Sequence, residues 1–248
     1  MRAVAIAALL AALLSACADG PSARGHRLDL GGPRDGPEFL GGNPSAVIAA
    51  ELAFAREARE KGTWTAFRNW ATADAQWPGP ALESVQQALA GAADPPEPIV
   101  WGPDATWVSC DGSFALSTGP ATQPTGRRSR FATIWQRQRD GEYRWVLDQG
   151  FDLEEGYAEP EMIGAKVADC TGGAAAPETD RPEVQRSAAW GSGRSNDGTL
   201  AWRTIVAADC RRTLVVEMNQ GGAMTEVFRR ESPAPSAGEG QPAPSCAA

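Results

Sequence analysis

Two carboxylates are the strongest candidates for acid–base chemistry in this chain of 248 residues. Asp148 lies in a strand-like stretch and is predicted to share a sheet face with Thr133 and Trp135, whereas Asp74 lies in a predicted loop at the mouth of a pocket. A carboxylate can act as a general base when a second group stabilises the charge that develops. The sequence offers no such second group. Each carboxylate therefore keeps a structural alternative, as a strand-end residue bonded to a turn for Asp148 and as a loop residue for Asp74.

Aromatic rings form the second candidate set, since the chain contains nine Trp and seven Phe residues. Such rings either stack on a flat apolar ligand or fill a hydrophobic core. The predicted pocket consists of Trp64, Phe67, Trp70, Trp101, Trp107, Phe131, Thr133, Trp135 and Asp148. If this pocket is open, the expected partner is a small apolar molecule with one polar group.

The sequence lacks the residue patterns that nucleophilic catalysis, phosphate binding and metal binding require. The single histidine, His26, lies far from any candidate nucleophile, and the chain has neither a Gly-rich phosphate loop nor a nucleophile elbow. The cysteines show no Cys-x-x-Cys spacing, so we expect no metal site and no cofactor. The formal net charge of −8 argues against nucleic acid as a partner.

The first 16 residues are a predicted targeting segment. Arg2 precedes an apolar run of 12 residues that is too short to span a bilayer as a helix. The run ends in Leu14-Ser15-Ala16-Cys17, which is similar to the lipobox of bacterial lipoproteins. This resemblance implies lipid attachment at Cys17, a membrane anchor and a periplasm-facing location in the cell envelope. By resemblance to the sorting of enterobacterial lipoproteins, Ala18 at the second mature position slightly favours the outer membrane.

Composition divides the rest of the chain. Residues 18–42 are rich in Gly, Pro and charged residues without an apolar period, as is typical of a flexible tether. The predicted division is a signal peptide at 1–16, a tether at 17–42, a cone-shaped domain at 43–151, an acidic and Gly-Ala linker at 152–186, a small β-rich segment at 187–230 and a disordered tail at 231–248.

Three helices are predicted before the strands. Asn43-Pro44 is a typical helix start, and Lys61-Gly62 is a typical helix end. A second helix would be capped by Thr63, and a third would span residues 81–90. Residues 74–80 are predicted to be a loop.

Five strands are predicted between residues 99 and 149, in an antiparallel order. Asp140-Gly141 indicates a two-residue type I′ hairpin, because both central positions of that turn need positive φ. This loop pairs Trp135 with Val146 and Thr133 with Asp148. Tyr143, Trp145 and Leu147 would then lie on the opposite face.

Helices followed by an antiparallel meander indicate an α+β fold. Four segments carry a family resemblance: residues 53–55, 61–67, 101–105 and 135–145. They resemble uncharacterised bacterial members of the nuclear-transport-factor-2-like superfamily, which also contains ketosteroid isomerases and SnoaL-like polyketide cyclases. The resemblance covers residues 43–151 and implies a curved sheet wrapped around N-terminal helices, with a pocket between them. It also implies a homodimer formed by packing sheets face to face.

Two functional hypotheses follow, together with one question about subunits. The first hypothesis is a lipid-anchored, non-catalytic binding or interaction module. The alternative is a small-molecule isomerase, lyase or hydrolase that uses Asp148. The homodimer is slightly favoured over a monomer in which the β-rich segment covers the sheet face holding Ile134, Trp145 and Leu147.

Four cysteines remain besides Cys17, and they allow three pairings. Cys110 falls in a predicted core strand and is expected to be a buried free thiol, while Cys246 falls in the predicted tail. The favoured disulfide therefore joins Cys170 and Cys210, in keeping with an oxidising compartment.

Overall fold

The first helix, α1 (Pro44–Lys61), begins and ends where the sequence predicts. The computed structural model describes residues 41–78, 82–172, 182–234 and 245–246, all within the compact unit Phe39–Ala248. The Asn43 side chain accepts a hydrogen bond from the Ser45 N–H (3.1 Å), and Gly62 ends the helix with φ of +110°. This positive φ is why a glycine is required at the helix end.

Helix α2 (Thr63–Trp70) follows at once, but its cap differs from the prediction. Thr63 lies inside the helix, and its hydroxyl accepts a hydrogen bond from the Ile99 N–H (3.1 Å). The cap is Asp94, whose carboxylate accepts hydrogen bonds from the Thr65 N–H (2.9 Å) and the Thr65 hydroxyl (2.6 Å). A residue distant in sequence thus satisfies a free donor at the helix start.

The stretch after α2 corrects two predictions. It forms strand β1 (Ala71–Pro78) instead of a loop from residue 74, and β2 (Leu82–Ser84) followed by the short helix α3 (Val85–Ala88) replaces the predicted third helix. Strand β1 runs parallel to a later strand, so its hydrogen bonds depend on a distant segment that local propensity does not reveal.

The central sheet has eight strands. Its middle is the predicted meander of β4 (Ala105–Val108), β5 (Phe114–Thr122), β6 (Arg128–Arg137) and β7 (Tyr143–Asp152), with β3 (Val100–Trp101) on β5. The order is β2-β1-β7-β6-β5-β4-β8, where β8 is Gly164–Val167. The pairs β1–β7 and β4–β8 are parallel, so the sheet is mixed and not purely antiparallel as predicted.

The β6–β7 hairpin differs from the predicted type I′ turn. Gly141 has φ of +89°, Asp140 has no positive φ, and the Gly141 N–H donates to the Gln138 carbonyl (3.0 Å). This is a three-residue loop with a glycine bulge. The extra loop residue shifts the register of the two strands by one position, so that Trp135 pairs with Trp145. A bulge at Val146 shifts the register back, and Thr133 pairs with Asp148 as predicted. Trp145 therefore lies on the face of Trp135, not on the opposite face.

A second, four-stranded sheet follows the short helix α4 (Pro182–Gln185). Its strands are β9 (Ala189–Arg194), β10 (Leu200–Val206), β11 (Arg212–Gln220) and β12 (Ala223–Ser232), in the order β12-β11-β10-β9. Both β8 and α4 fall in the stretch that was predicted to be a linker. The prediction missed β8 because the hydrogen bonds of this strand come from the distant strand β4.

Two apolar clusters place the central sheet between two layers. One face packs on α1 and α2 through residues such as Phe54, Phe67 and Trp135. The other face packs on the four-stranded sheet, where Ile134 and Leu147 meet Leu214 and other residues. The face predicted for a homodimer is therefore covered by the chain's own second sheet.

The disulfides correct the predicted pairing. Cys110 is bonded to Cys170 and Cys210 to Cys246, with Cα–Cα distances of 5.1 and 5.2 Å, so the Cys170–Cys210 pairing and the free thiol at Cys110 are both wrong. Sequence order misled the prediction, because β8 pairs with β4, with Val167 opposite Val108, and this pairing brings Cys170 to Cys110.

Some predicted features lie outside the described residues. These are the signal peptide, Cys17, His26 and the tether up to residue 40, together with the linker residues 173–181 and the tail residues 235–244 and 247–248.

Candidate functional site

A buried carboxyl, Glu51, stands at the centre of the helix-facing side of the sheet. It is completely buried, and three side chains donate hydrogen bonds to it. The Trp101 indole donates to Oε1 (2.7 Å), while the Ser117 hydroxyl and the Trp135 indole (3.1 Å) donate to Oε2. The Trp135 indole also donates to Ser117 Oγ (2.8 Å). These four side chains form a hydrogen-bonded network inside an apolar core.

Sequence reasoning missed Glu51, although its spacing offered a signal. It lies four residues after Val47 and three before Phe54, within the apolar stripe of α1 that packs on the sheet. A charged residue inside such a stripe is rarely buried without partners. The stripe was sufficient to place Glu51 inward, but only the fold shows which donors meet it.

Burial raises the pKa of Glu51 to about 7, against the effect of its hydrogen bonds from Ser117, Trp101 and Trp135. The negative charge of Asp148 adds to the rise. Burial disfavours the charged form of a carboxyl, whereas donated hydrogen bonds favour it. Burial prevails here, so Glu51 changes protonation near neutral pH.

The predicted carboxylate Asp148 lies on β7 and forms one side-chain hydrogen bond that supports its position. The Thr133 hydroxyl donates to its Oδ2 (2.7 Å), as the predicted pairing of these residues implies. Burial raises the pKa of Asp148 to about 6, although the residue keeps some exposure. The other predicted carboxylate, Asp74, is exposed on β1 and lines a shallow surface groove instead of a pocket mouth.

The interior predicted as a ligand pocket is occupied by side chains. The ring of Phe54 has five aromatic neighbours at centroid distances of 4.9 to 6.5 Å: Phe67, Trp70, Trp101, Trp135 and Trp145. Phe131 is buried in the same cluster, and Trp64 is partly buried against it. Thr133 is fully buried beside this cluster, on the strand that holds Trp135. These predicted residues therefore come together, but Phe54 fills the space between them.

Trp107 does not belong to this set. It packs against the cluster between the two sheets and lines a surface groove of about 610 Å³. Within that groove the buried Arg130 pairs with Asp104 (3.0 Å) and Glu154 (2.8 Å), and its guanidinium lies 5.0 Å from the ring centroid of Tyr157. Two carboxylates thus neutralise this cation, which favours a structural role.

The described residues offer little for other ligand classes. Across residues 41–78, 82–172, 182–234 and 245–246, no group of three or more His, Cys, Asp or Glu side chains is arranged to hold a metal ion. In the same ranges, no helix combines the length and apolar character needed to cross a membrane.

Comparison with known proteins gives only distant similarities. No protein-family model matches the chain, and no curated protein sequence matches it. A solved structure from Shewanella frigidimarina, provisionally described as a ketosteroid isomerase, aligns with 12% identity and a TM-score of 0.30 over 44% of this chain and 94% of that one. A structure from Bacteroides fragilis, provisionally described as a 6-phosphogluconolactonase, aligns with 10% identity and a TM-score of 0.14 over 58% and 59% of the two chains. TM-scores this low carry no argument about fold or activity.

Proposed function

We propose that this chain is a lipid-anchored protein of the bacterial cell envelope, whose α+β unit is a non-catalytic binding or interaction module of the nuclear-transport-factor-2-like type. The observation that carries the non-catalytic part is the filled interior around Phe54. An enzyme needs space for its substrate beside the reacting groups. Here the side chains that would line that space pack directly on one another.

The cone-shaped domain is part of this proposal. Its support is the α+β architecture, with α1 lying across one face of the large sheet and the strands β4 to β7 in meander order. Folds of this kind host many activities and also none, so the fold alone assigns no chemistry.

A complementation experiment tests the non-catalytic part of the proposal. In a strain lacking the protein, the variant Asp148→Asn should restore the phenotype as fully as the wild-type chain, because no proton transfer at Asp148 is needed. Asp74→Asn on the exposed surface is the matched control. Loss of complementation by Asp148→Asn alone, with an unchanged melting temperature, would contradict the proposal.

One observation favours the catalytic alternative, an isomerase, lyase or hydrolase. Two carboxyls with raised pKa values, Glu51 and Asp148, interact with each other on the helix-facing side of the sheet. Such pairs occur at active sites and also in structural networks. Equilibrium dialysis with planar apolar ligands distinguishes the enzyme from the non-catalytic module. Saturable binding that is abolished by Trp135→Phe would require an accessible interior and would favour the enzyme.

The lipid anchor is tested separately. We expect that wild-type protein sediments with the membrane fraction and that Cys17→Ser releases it, because the thiol of Cys17 is the proposed attachment point. Ser15→Ala is a suitable control, since it leaves the cysteine in place. A Cys17→Ser variant that stays in the membrane pellet would show that the anchor is absent or lies elsewhere.

A further inference from the structure

Two turns of the chain share the pattern Ser-x-Asp-Gly-Ser/Thr and lie 86 residues apart. The first, residues 109–113, joins β4 to β5, and the second, residues 195–199, joins β9 to β10. Their glycines have nearly the same positive φ, +69° at Gly112 and +73° at Gly198. The pattern marks the same position in both sheets, between the first and second strands of a four-stranded meander.

The hydrogen bonds within the two turns also match. The Ser109 hydroxyl donates to Asp111 Oδ1 at 2.6 Å, as the Ser195 hydroxyl does to Asp197. The corresponding hydroxyls of Ser113 and Thr199 donate to these same carboxylate oxygens at 2.8 and 2.9 Å. The residue that follows each turn donates its N–H back to the first serine, at 3.2 Å in one turn and 3.0 Å in the other.

The likeness extends along the strands. In the first sheet Phe114 pairs with Gln136, and at the matching positions of the second sheet Leu200 pairs with Met218. Outside the hairpin loops, the register between the third and fourth strands of each meander shifts once, at Val146 in β7 and at Val227 in β12. A bulge at the same register position is a specific feature that similar sheets seldom share by chance.

Matching positions also lie in the same apolar cluster between the sheets. The cluster between the sheets contains five such pairs, with the central-sheet residue given first: Phe114 and Leu200, Leu116 and Trp202, Ala132 and Leu214, Ile134 and Val216, and Leu147 and Phe228. The two bulge residues, Val146 and Val227, pack against the same cluster. Each sheet therefore contributes its equivalent face.

The contact between the two turns is reciprocal. The Asp111 N–H donates to Asp197 Oδ2 (2.9 Å), and the Asp197 N–H donates to Asp111 Oδ2 (3.1 Å). Likewise, the Cys110 N–H donates to Thr199 Oγ1 (2.9 Å), and the Asn196 N–H donates to Ser113 Oγ (2.9 Å). Exchange of partners in this manner is the mark of a two-fold symmetric interface between copies.

We infer that the meander of β9 to β12 is a second copy of the meander of β4 to β7, and that it occupies the surface where a second subunit would otherwise bind. The chain is thus an internal dimer with a pseudo-two-fold axis between the two turns. The partner that fits the face of Ile134 and Leu147 is a copy of that same face, supplied within the chain. The inference does not depend on the proposed function.

The two copies differ on their outer faces. Ser117 and Trp135 of the first copy bind Glu51 of α1, whereas the matching positions of the second copy hold Arg203 and Glu217. Arg203 pairs with Glu217 and with Glu183 of α4, both at 3.1 Å. An ion pair of the buried Arg203 with the partly buried Glu217 thus stands at the two positions that bind Glu51 in the first copy.

The first test compares equivalent hydroxyls in the full-length protein. Because the hydroxyls of Ser113 and Thr199 make corresponding bonds, their removal should lower the melting temperature equally, by about 2–4 °C each. Ser113→Ala is compared with the wild-type protein, and Thr199→Ala with Thr199→Ser, which keeps the hydroxyl and lacks the same methyl group. A loss that is more than twice as large in one alanine variant as in the other would overturn the equivalence of the two turns.

The second test frees the interface in the full-length chain, with Cys17→Ser included so that lipid does not drive association. Leu214→Asp places a charge in the apolar face of the second copy only. The intact face of the first copy should then bind the same face of another chain, and light scattering should show twice the mass. Adding Ala132→Asp, at the matching position, should return the protein to a monomer. A monomeric Leu214→Asp variant that keeps the near-ultraviolet signal of its tryptophans would refute the inference. If that variant does not fold, the hydroxyl comparison decides alone.

Discussion

The carboxyl of Glu51 is the residue whose ionisation matters most for the core. Its pKa in the folded protein is raised to about 7 from an ordinary 4.5. The folded state therefore binds this proton more tightly than the unfolded state does. The resulting stabilisation is complete below about pH 4.5 and is lost as the pH rises through about 7.

This sign gives a prediction for Glu51→Gln. Between pH 5 and 8 the wild-type protein should lose about 3 kcal/mol more stability than the variant, because an amide does not ionise. Urea denaturation across this pH range measures the difference. Asp148 changes charge in the same direction and remains in both proteins, so the comparison isolates Glu51. Parallel pH profiles would show that Glu51 ionises normally.

Trp135 joins the buried carboxyl to the aromatic core. It is fully buried, donates to both Glu51 and Ser117, and packs on Phe54. Trp135→Ala should lower the free energy of unfolding by about 3–5 kcal/mol, since it leaves a large cavity. Chemical denaturation measures this loss, and Trp190→Ala is the control, with a smaller expected loss because Trp190 is 39% exposed.

Among the elements, helix α2 depends on a residue that lies outside it. Asp94 accepts two hydrogen bonds from Thr65 at the helix start. Asp94→Ala should therefore destabilise the protein by about 1 kcal/mol, as loss of a helix cap does. The exposed Asp74→Ala is the control with little expected effect. Thermal unfolding monitored by circular dichroism distinguishes the two, and equal melting temperatures would exclude the cap.

The β6–β7 hairpin shows how two local irregularities offset each other. The Asp140 carboxylate accepts a hydrogen bond from the Glu142 N–H (3.0 Å), which suits a three-residue loop. The added residue shifts the pairing by one position, and Val146 shifts it back. The segment between these points, which contains Trp145, therefore changes face while Asp148 does not.

For the molecule as a whole, the two disulfides join segments far apart in sequence. Cys110–Cys170 closes a loop with a sequence separation of 60, and Cys210–Cys246 closes one of 36. Peptide mapping without reduction should recover these two pairs from protein that is isolated under oxidising conditions. Replacing Cys110 and Cys170 by Ser should lower stability by about 4 kcal/mol in the chain-entropy treatment. Recovery of a Cys170–Cys210 peptide would contradict this pairing.

Much of the architecture followed from the sequence because local signals determine it. Asn43, Pro44 and Gly62 set the limits of α1, and turn residues between β-rich runs set the meander from β4 to β7. The α+β class and the pairing of Thr133 with Asp148 follow from the same patterns. The repeated Ser-x-Asp-Gly-Ser/Thr turn was also visible, but its meaning depends on the register of the strands around it.

Long-range contacts decided the remaining features. Strand β1 exists because β7 offers it a parallel edge, and Cys110 meets Cys170 because the chain folds back on its first sheet. Glu51 becomes a buried, partnered carboxyl only when indoles and a hydroxyl from three separate strands converge on it. The sequence by itself determined the helices α1 and α2, the meander from β4 to β7 and the order of these elements. Which of their faces meet depends on burial and on partners distant in the chain, so only the tertiary structure decided it.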